Sequence, residues 1–182
     1  MVTSPEVDVS NQRMDAGMPD YSDSDGDDFE ALSRDRIPIR SITELDLDAI
    51  VRIDSKLNGR ERRDYFEAKL NEVMSETGIR VSLVAEIEAL VVGFIMARVD
   101  FGDYGRTEPT AVIDTVGVNP SFGRSGVASA LLSQLLANLD ALHVESIRTN
   151  VGWNNFPLLS VLNKNGFTPA QQVVLTKSIS ND

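Results

Sequence analysis

The chain has 182 residues, a formal net charge of −11, a single His and no Cys. That length suits one domain with a sizeable core. The lack of thiols excludes a disulfide framework and a thiolate metal site, and the acidic balance argues against a nucleic-acid-binding module, which needs a basic face.

No apolar run approaches the ~20 residues of a membrane span. The start MVTSPEVDVS has neither the basic region nor the apolar segment of an export signal, so a cytoplasmic protein is expected. Charge is spread unevenly: residues 1–35 hold 10 Asp and Glu against 2 Lys and Arg, a net of −8. This stretch, which includes the run Tyr21 to Asp28, has almost no clustered apolar residues and reads as an acidic disordered tail. The Asp-rich run resembles part of a calcium loop, but it lacks the Glu at the twelfth position and the flanking helices. Residues 36–182 then form the folded domain.

Ile37 to Ile42 alternates like a first strand, with Pro38 suited to an edge. Thr43 opens a helix with Leu45, Leu47, Ile50, Val51 and Ile53 on its apolar face, and Asn58-Gly59 breaks it. A second amphipathic helix over 62–75 presents Tyr65, Phe66, Leu70, Val73 and Met74, and Gly78 ends it. Between the helices Arg60, Arg62 and Arg63 are candidates for binding an acidic group, although a solvated helix start explains each of them more simply. Arg80 to Glu86 and Val91 to Val99 are Val- and Ile-rich strands joined as a hairpin. Asp100 to Pro109 is a loop rich in turn residues and a plausible site rim, carrying Asp103, Tyr104 and Glu108.

Ala111 to Val118 reads as a central strand whose alternation puts Val112, Asp114, Val116 and Val118 on one face. It runs into a turn at Asn119-Pro120, a glycine-spaced loop (Gly123, Arg124, Ser125, Gly126) and a helix from about Val127. Such a loop aims unpaired backbone N–H groups and the positive end of a helix dipole at one point, which suits a phosphate. Gly126 admits the anion without a Cβ in the way, and Arg124 adds charge. The loop is not a Walker motif, and the Gly123-x-x-Gly126 spacing is not a dinucleotide fingerprint. In the helix, Leu131, Leu132, Leu135, Leu136, Leu139 and Leu142 make a core stripe. His143 falls in the loop after it. Glu145 to Val151 is a strand, Asn154 or Asn155 caps a further helix that ends at Gly166, and Gln171 to Ile179 reads as a last strand. Strands and helices in this order make an α/β fold on a mixed sheet.

The run Ile113 to Pro120 followed by Gly123 to Ala128 resembles the acetyl-CoA-binding signature of the GCN5-related N-acetyltransferase (GNAT) superfamily, a strand ending in Val-x-Pro and then Arg/Gln-x-x-Gly-x-Gly/Ala. Gly123 stands where the family usually has Arg or Gln, with Arg124 directly after it. Asn155, Leu158, Leu162 and Gly166-Phe167 resemble the same family's Asn-to-Gly-Phe helix. The motifs span about 110–167, and the flanking strands extend the likeness to roughly 37–178.

The resemblance implies a mostly antiparallel twisted sheet with about four helices and splayed central strands. It also implies an acetyl-CoA-dependent N-acetyltransferase, acting by direct transfer on a primary amine of a small molecule or protein. Val116, Gly117 and Val118 would pair with the pantetheine arm, and an N–H at or beside Val116 would polarise the thioester. The amides of Gly123, Arg124, Ser125, Gly126, Val127 and Ala128 would hold the pyrophosphate, and Asn155 would bind the arm or cap its helix. Asp114 is the candidate base, or else an ion-pair partner within the fold, with Tyr104, Glu86 and Glu108 in reserve. Many members place a Tyr acid where this chain has Leu162, so the proton for the leaving thiolate falls to water, Tyr65 or Tyr104. No metal ligand set is present. A homodimer is compatible with the superfamily, and a catalytically silent CoA-binding module of the same fold is the alternative.

Overall fold

In the computed structural model, residues 37–75, 81–100, 108–171 and 174–179 are described. The acidic tail, Gly78, Arg80 and the loop residues Asp103 and Tyr104 lie outside them. Among the described residues five strands form one sheet in chain order: β1 (Ile39–Ser41), β2 (Leu83–Ile87), β3 (Leu90–Asp100), β4 (Thr110–Val118) and β5 (Ser146–Thr149). The first three pairings are antiparallel and β4–β5 is parallel, which makes the mixed, mostly antiparallel sheet expected. Two helices, α1 (Leu47–Asn58) and α2 (Arg63–Ser75), precede β2; α3 (Val127–Ala141) joins β4 to β5, and α4 (Phe156–Lys164) comes after β5.

The helices cover both faces. On one side Leu131, Leu132 and Leu135 of α3 are buried against Leu83, Ile95, Ala97, Ala111 and Ile113. On the other, Ile50 and Ile53 of α1 and Phe66 and Leu70 of α2 are buried with Val84, Phe94 and Met96. Phe66 meets Phe94 edge-on at 5.7 Å between ring centres, a geometry that adds ring electrostatics to area burial. No helix among the described residues is long and apolar enough to cross a membrane.

Three expectations are corrected. The first helix begins at Leu47, because Thr43 opens a single 3-10 turn over Glu44–Asp46; Leu45, expected in the core, is 93% exposed, since the tighter winding takes it off the α1 stripe. Similarly α3 ends at Ala141, so Leu142 lies past the buried stripe and is exposed. Of Gln171 to Ile179, expected as a last strand, residues 171 and 174–179 form no strand, and 172–173 lie outside the described residues.

The first turn is held by a buried carboxylate. Asp46 accepts from Arg40 Nη1 and Nη2 at 2.8 and 2.7 Å and from the Thr43 amide and hydroxyl at 2.8 and 2.9 Å. Arg40 also donates to Glu86 at 2.9 Å, tying β1 and β2 to the entrance of α1. Burial pushes the Asp46 carboxyl up, but the bonds from Arg40 and Thr43 outweigh it and hold the group below the ordinary carboxylate value. Its contribution to stability is therefore complete above the unfolded value of about 3.9 and fades as pH falls through the lower folded value. Denaturant titrations across pH should show this acid loss in the native chain and a flatter profile in Asp46→Asn. At neutral pH, Asp46→Ala should cost about 1–3 kcal/mol by stranding its donors.

Candidate active site

The site starts from a ladder that stops early. β4 pairs with β5 from Thr110↔Ser146 to Ile113↔Thr149 and no further, while on its other edge it stays paired with β3 out to Val118↔Gly93. The Thr149 hydroxyl donates to the Ile113 carbonyl at 3.1 Å, at the last point of contact. From Asp114 to Val118 no strand among the described residues pairs with the β5-facing edge of β4, so its backbone groups are open to an extended ligand.

Within that stretch β4 carries a bulge. Ile113 faces Ala97 and Thr115 faces Met96, which leaves Asp114 as the extra residue. A bulge resets the side-chain alternation and re-aims the residues beyond it. The single face expected for Val112, Asp114, Val116 and Val118 is thereby broken: Ile113, Val116 and Val118 pack into the α3 cluster, whereas Asp114 reaches Lys69 on α2. Gly117 faces the α1 side, where an added Cβ would lie 2.6 Å from Phe94 Cε1 and 3.3 Å from Leu57 Cδ1.

Beyond Val118 the backbone turns tightly. The Asn119 amide donates to Val92 O at 2.8 Å, Gly123 N to Pro120 O at 3.1 Å, and the Ser125 hydroxyl to Phe122 O at 2.5 Å. Gly126 is left-handed at φ 83 and precedes α3 with no side-chain cap. The first closed helical bond runs from Ala130 N to Gly126 O at 2.9 Å, so the amides of Val127, Ala128 and Ser129 have no intrahelical partner. These donors and the helix dipole form a seat for an anion. Arg124 is also left-handed, at φ 64, and is exposed.

The side-chain candidates divide sharply. Asp114 is not a lone carboxylate: Arg98 donates to one of its oxygens and Lys69 Nζ lies 3.4 Å from the other. The ionic row continues from Arg98 to Asp100 at 2.9 Å and from Arg148 to Asp100 at 3.4 Å, while Lys69 also holds Glu72 at 2.9 Å. Hydrogen bonding to Asp114 raises the Arg98 guanidinium above its ordinary value. Burial pulls Lys69 down, but its bond to Glu72 and the charge of Asp114 win, so it too stands raised. The sequence gives no sign of Lys69 and Arg98 as partners of Asp114, because α2 and β3 reach it only through the folded sheet.

At the helix junction, Arg62 grips the buried Asp54 at 2.9 and 2.5 Å and lies over the Tyr65 ring at 5.2 Å. Arg63 pairs with Asp48 and, at 3.8 Å, with Glu61. Both arginines serve the fold; among the described residues Arg60 is exposed without an ion pair. Glu86 is engaged by Arg40, Glu108 is exposed at the foot of β4, and His143 is an exposed turn residue at φ 57. Asn155 caps α4, accepting from Leu158 N at 3.3 Å. Leu162 is buried in the α3 cluster. No group of three or more His, Asp or Glu among the described residues is placed to hold a metal ion.

One glycine fixes the height of the anion seat. A Cβ on Gly93 would sit 2.6 Å from Val127 Cγ1 and 3.2 Å from Leu131 Cδ1, so the β3 backbone and the first turns of α3 touch directly. Gly93→Ala should cost about 1–3 kcal/mol by overpacking and displace the Val127 and Ala128 amides. Thermal melting should show the fall in stability, and amide chemical shifts the displacement of Val127 and Ala128.

Residues 46–167 match the sequence model of the acetyltransferase (GNAT) family. An N-alpha-acetyltransferase of Sulfolobus acidocaldarius is 30% identical over 135 residues, which cover 71% of this chain and 78% of that protein. Among solved structures, AAC(6')-Iy in complex with the bisubstrate analogue CoA-S-monomethyl-acetylneamine has a TM-score of 0.66 at 18% identity, covering 79% of this chain and 99% of that one. The ribosomal-protein-S18-alanine N-acetyltransferase from Escherichia coli has a TM-score of 0.62 at 19% identity, covering 74% of this chain and 79% of that one.

Proposed function

The chain belongs to the acetyltransferase (GNAT) family, and on that footing we propose that it moves an acetyl group from acetyl-CoA to a primary amine of a small molecule or protein by direct transfer. The observation that carries this reading is the convergence of two open donor sets, the free β5-facing edge of Asp114–Val118 and the uncapped start of α3. The first suits an extended amide-bearing arm and the second a diphosphate, and both belong to one continuous piece of backbone. CoA in the AAC(6')-Iy complexes supports the choice of ligand.

In this reading the amides from Gly123 to Ala128 hold the pyrophosphate, with Arg124 adding charge. Val116, Gly117 and Val118 align the pantetheine arm, and Asn155 binds it as well as capping α4. A backbone N–H at or beside Val116 donates to the carbonyl oxygen, where negative charge builds as the amine attacks the carbonyl carbon. The amine must shed a proton, which Asp114 takes directly or through water. The carbon–sulfur bond then breaks, and the thiolate is protonated by water or by Tyr65 or Tyr104. Leu162 supplies no proton, being a buried hydrocarbon at the position where many relatives carry a Tyr.

That same leucine favours the second reading, a CoA-binding module without turnover. One experiment separates the two: calorimetry with CoA, followed by thiol release from acetyl-CoA with a panel of amines. Binding with amine-dependent release is expected. Asp114→Asn should lower turnover about 100-fold or more at unchanged CoA affinity, and Gly126→Val should abolish binding because a β-branched residue resists φ 83. Binding without release supports the module, and a folded chain that binds no CoA removes both.

A further inference from the structure

Asp114 already holds a primary amine. Lys69 Nζ lies 3.4 Å from Asp114 Oδ2 and 2.9 Å from Glu72 Oε2. This is the chemical group that the proposed reaction acylates, set against the carboxylate proposed to take its proton. A rigid helix brings it there: Phe66 and Leu70, which flank Lys69 on α2, are buried with Val84, Phe94 and Met96. Met96 in turn faces Thr115 across the β3–β4 ladder, so α2 stands over the bulge where the open edge of β4 begins. Val116 is two residues farther on, about 7 Å along an extended strand. A compact ammonium on a flexible four-carbon stem is well suited to shift along that edge.

Amines are few in this chain, which makes the placement of this one distinctive. The lysines are Lys56, Lys69, Lys164 and Lys177. Lys56, Lys164 and Lys177 are exposed, whereas Lys69 is half-buried between two carboxylates. Asp114 does not need Lys69 for its charge, because Arg98 also donates to it from β3. The lysine can therefore leave the pair without stranding the carboxylate.

We infer that Lys69 is itself an acceptor, and that without an outside amine the chain acetylates its own Lys69 from acetyl-CoA. The inference rests on the transfer activity proposed above. Asp114 takes a proton from the Lys69 ammonium and passes it to solvent. The freed amine attacks the thioester carbon, a carbon–nitrogen bond forms, the carbon–sulfur bond breaks, and the CoA thiolate leaves and is protonated by water. The product is a neutral amide, so the ion pairs of Lys69 with Asp114 and Glu72 are lost. That amide then fills the place where an outside amine would meet the carboxylate, and the modified chain still binds CoA but turns over more slowly.

Peptide mass spectrometry of the full chain, incubated with acetyl-CoA and no added amine, should find the acetyl group on Lys69 and not on the three exposed lysines. The rate per chain should not depend on protein concentration, since donor and acceptor share one site, and an added amine that is a substrate should slow it by competition. Lys69→Arg keeps the cation and should remove the modification while calorimetry still shows CoA binding. Asp114→Asn should slow the modification about 100-fold or more. An unmodified Lys69 alongside amine-dependent thiol release overturns the inference and leaves the transfer reading standing. Acetyl groups spread over the exposed lysines, or an unchanged rate in Asp114→Asn, show chemical modification by the thioester alone and also overturn it. A rate per chain that rises with protein concentration assigns the transfer to a second copy and does the same. A folded chain that binds no CoA removes both the inference and the reading beneath it.

Discussion

The fold rests on holding β4 by one edge only. β3 grips it along its whole length, whereas β5 releases it after Ile113, and everything that could receive a ligand depends on that asymmetry. If β5 continued alongside, the backbone of Asp114–Val118 would be satisfied within the sheet and the start of α3 would face a closed wall. The release is supported from both faces. Leu131, Leu132 and Leu135 fill one, and Phe66, Phe94 and Met96 the other, so the half-free strand is still clamped between two dry layers. The bulge at Asp114 sits at the point of divergence, and there the added twist helps to turn β4 away from its parallel neighbour.

Local pattern makes much of this legible. The alternating Val and Ile runs of β2 to β4 and the leucine stripe of α3 report burial directly, and the turn chemistry of Asn119-Pro120 and Gly126 marks a strand-to-helix loop whatever packs around it. Asn155 is readable as a cap because a cap needs only its own helix. The loop motif and the Asn-to-Gly-Phe helix also point to the family that the comparisons show.

What escapes a reading of the sequence depends on partners remote in the chain. The bulge comes from how β3 and β4 count against each other, and neither strand alone announces it; once it is present, simple alternation misplaces Val116 and Val118. Asp114 looks solitary in the sequence because Lys69 and Arg98 approach it from another helix and another strand. Leu45 shows the opposite failure, an apolar residue placed by periodicity on a helix that winds as a 3-10 turn there. For the segment 174–179, strand propensity is present, yet among the described residues it pairs with no strand.

Arg124 carries a cost of its own. Gly123, its neighbour, has an ordinary φ of −60 and no conformational need to be glycine. The left-handed turn at φ 64 falls instead on the arginine, at about 1–2 kcal/mol of strain. Exchanging the two residues would relax the backbone, yet it would also move the guanidinium one step along the chain. The order found in this chain keeps the strained backbone and the cation at one position.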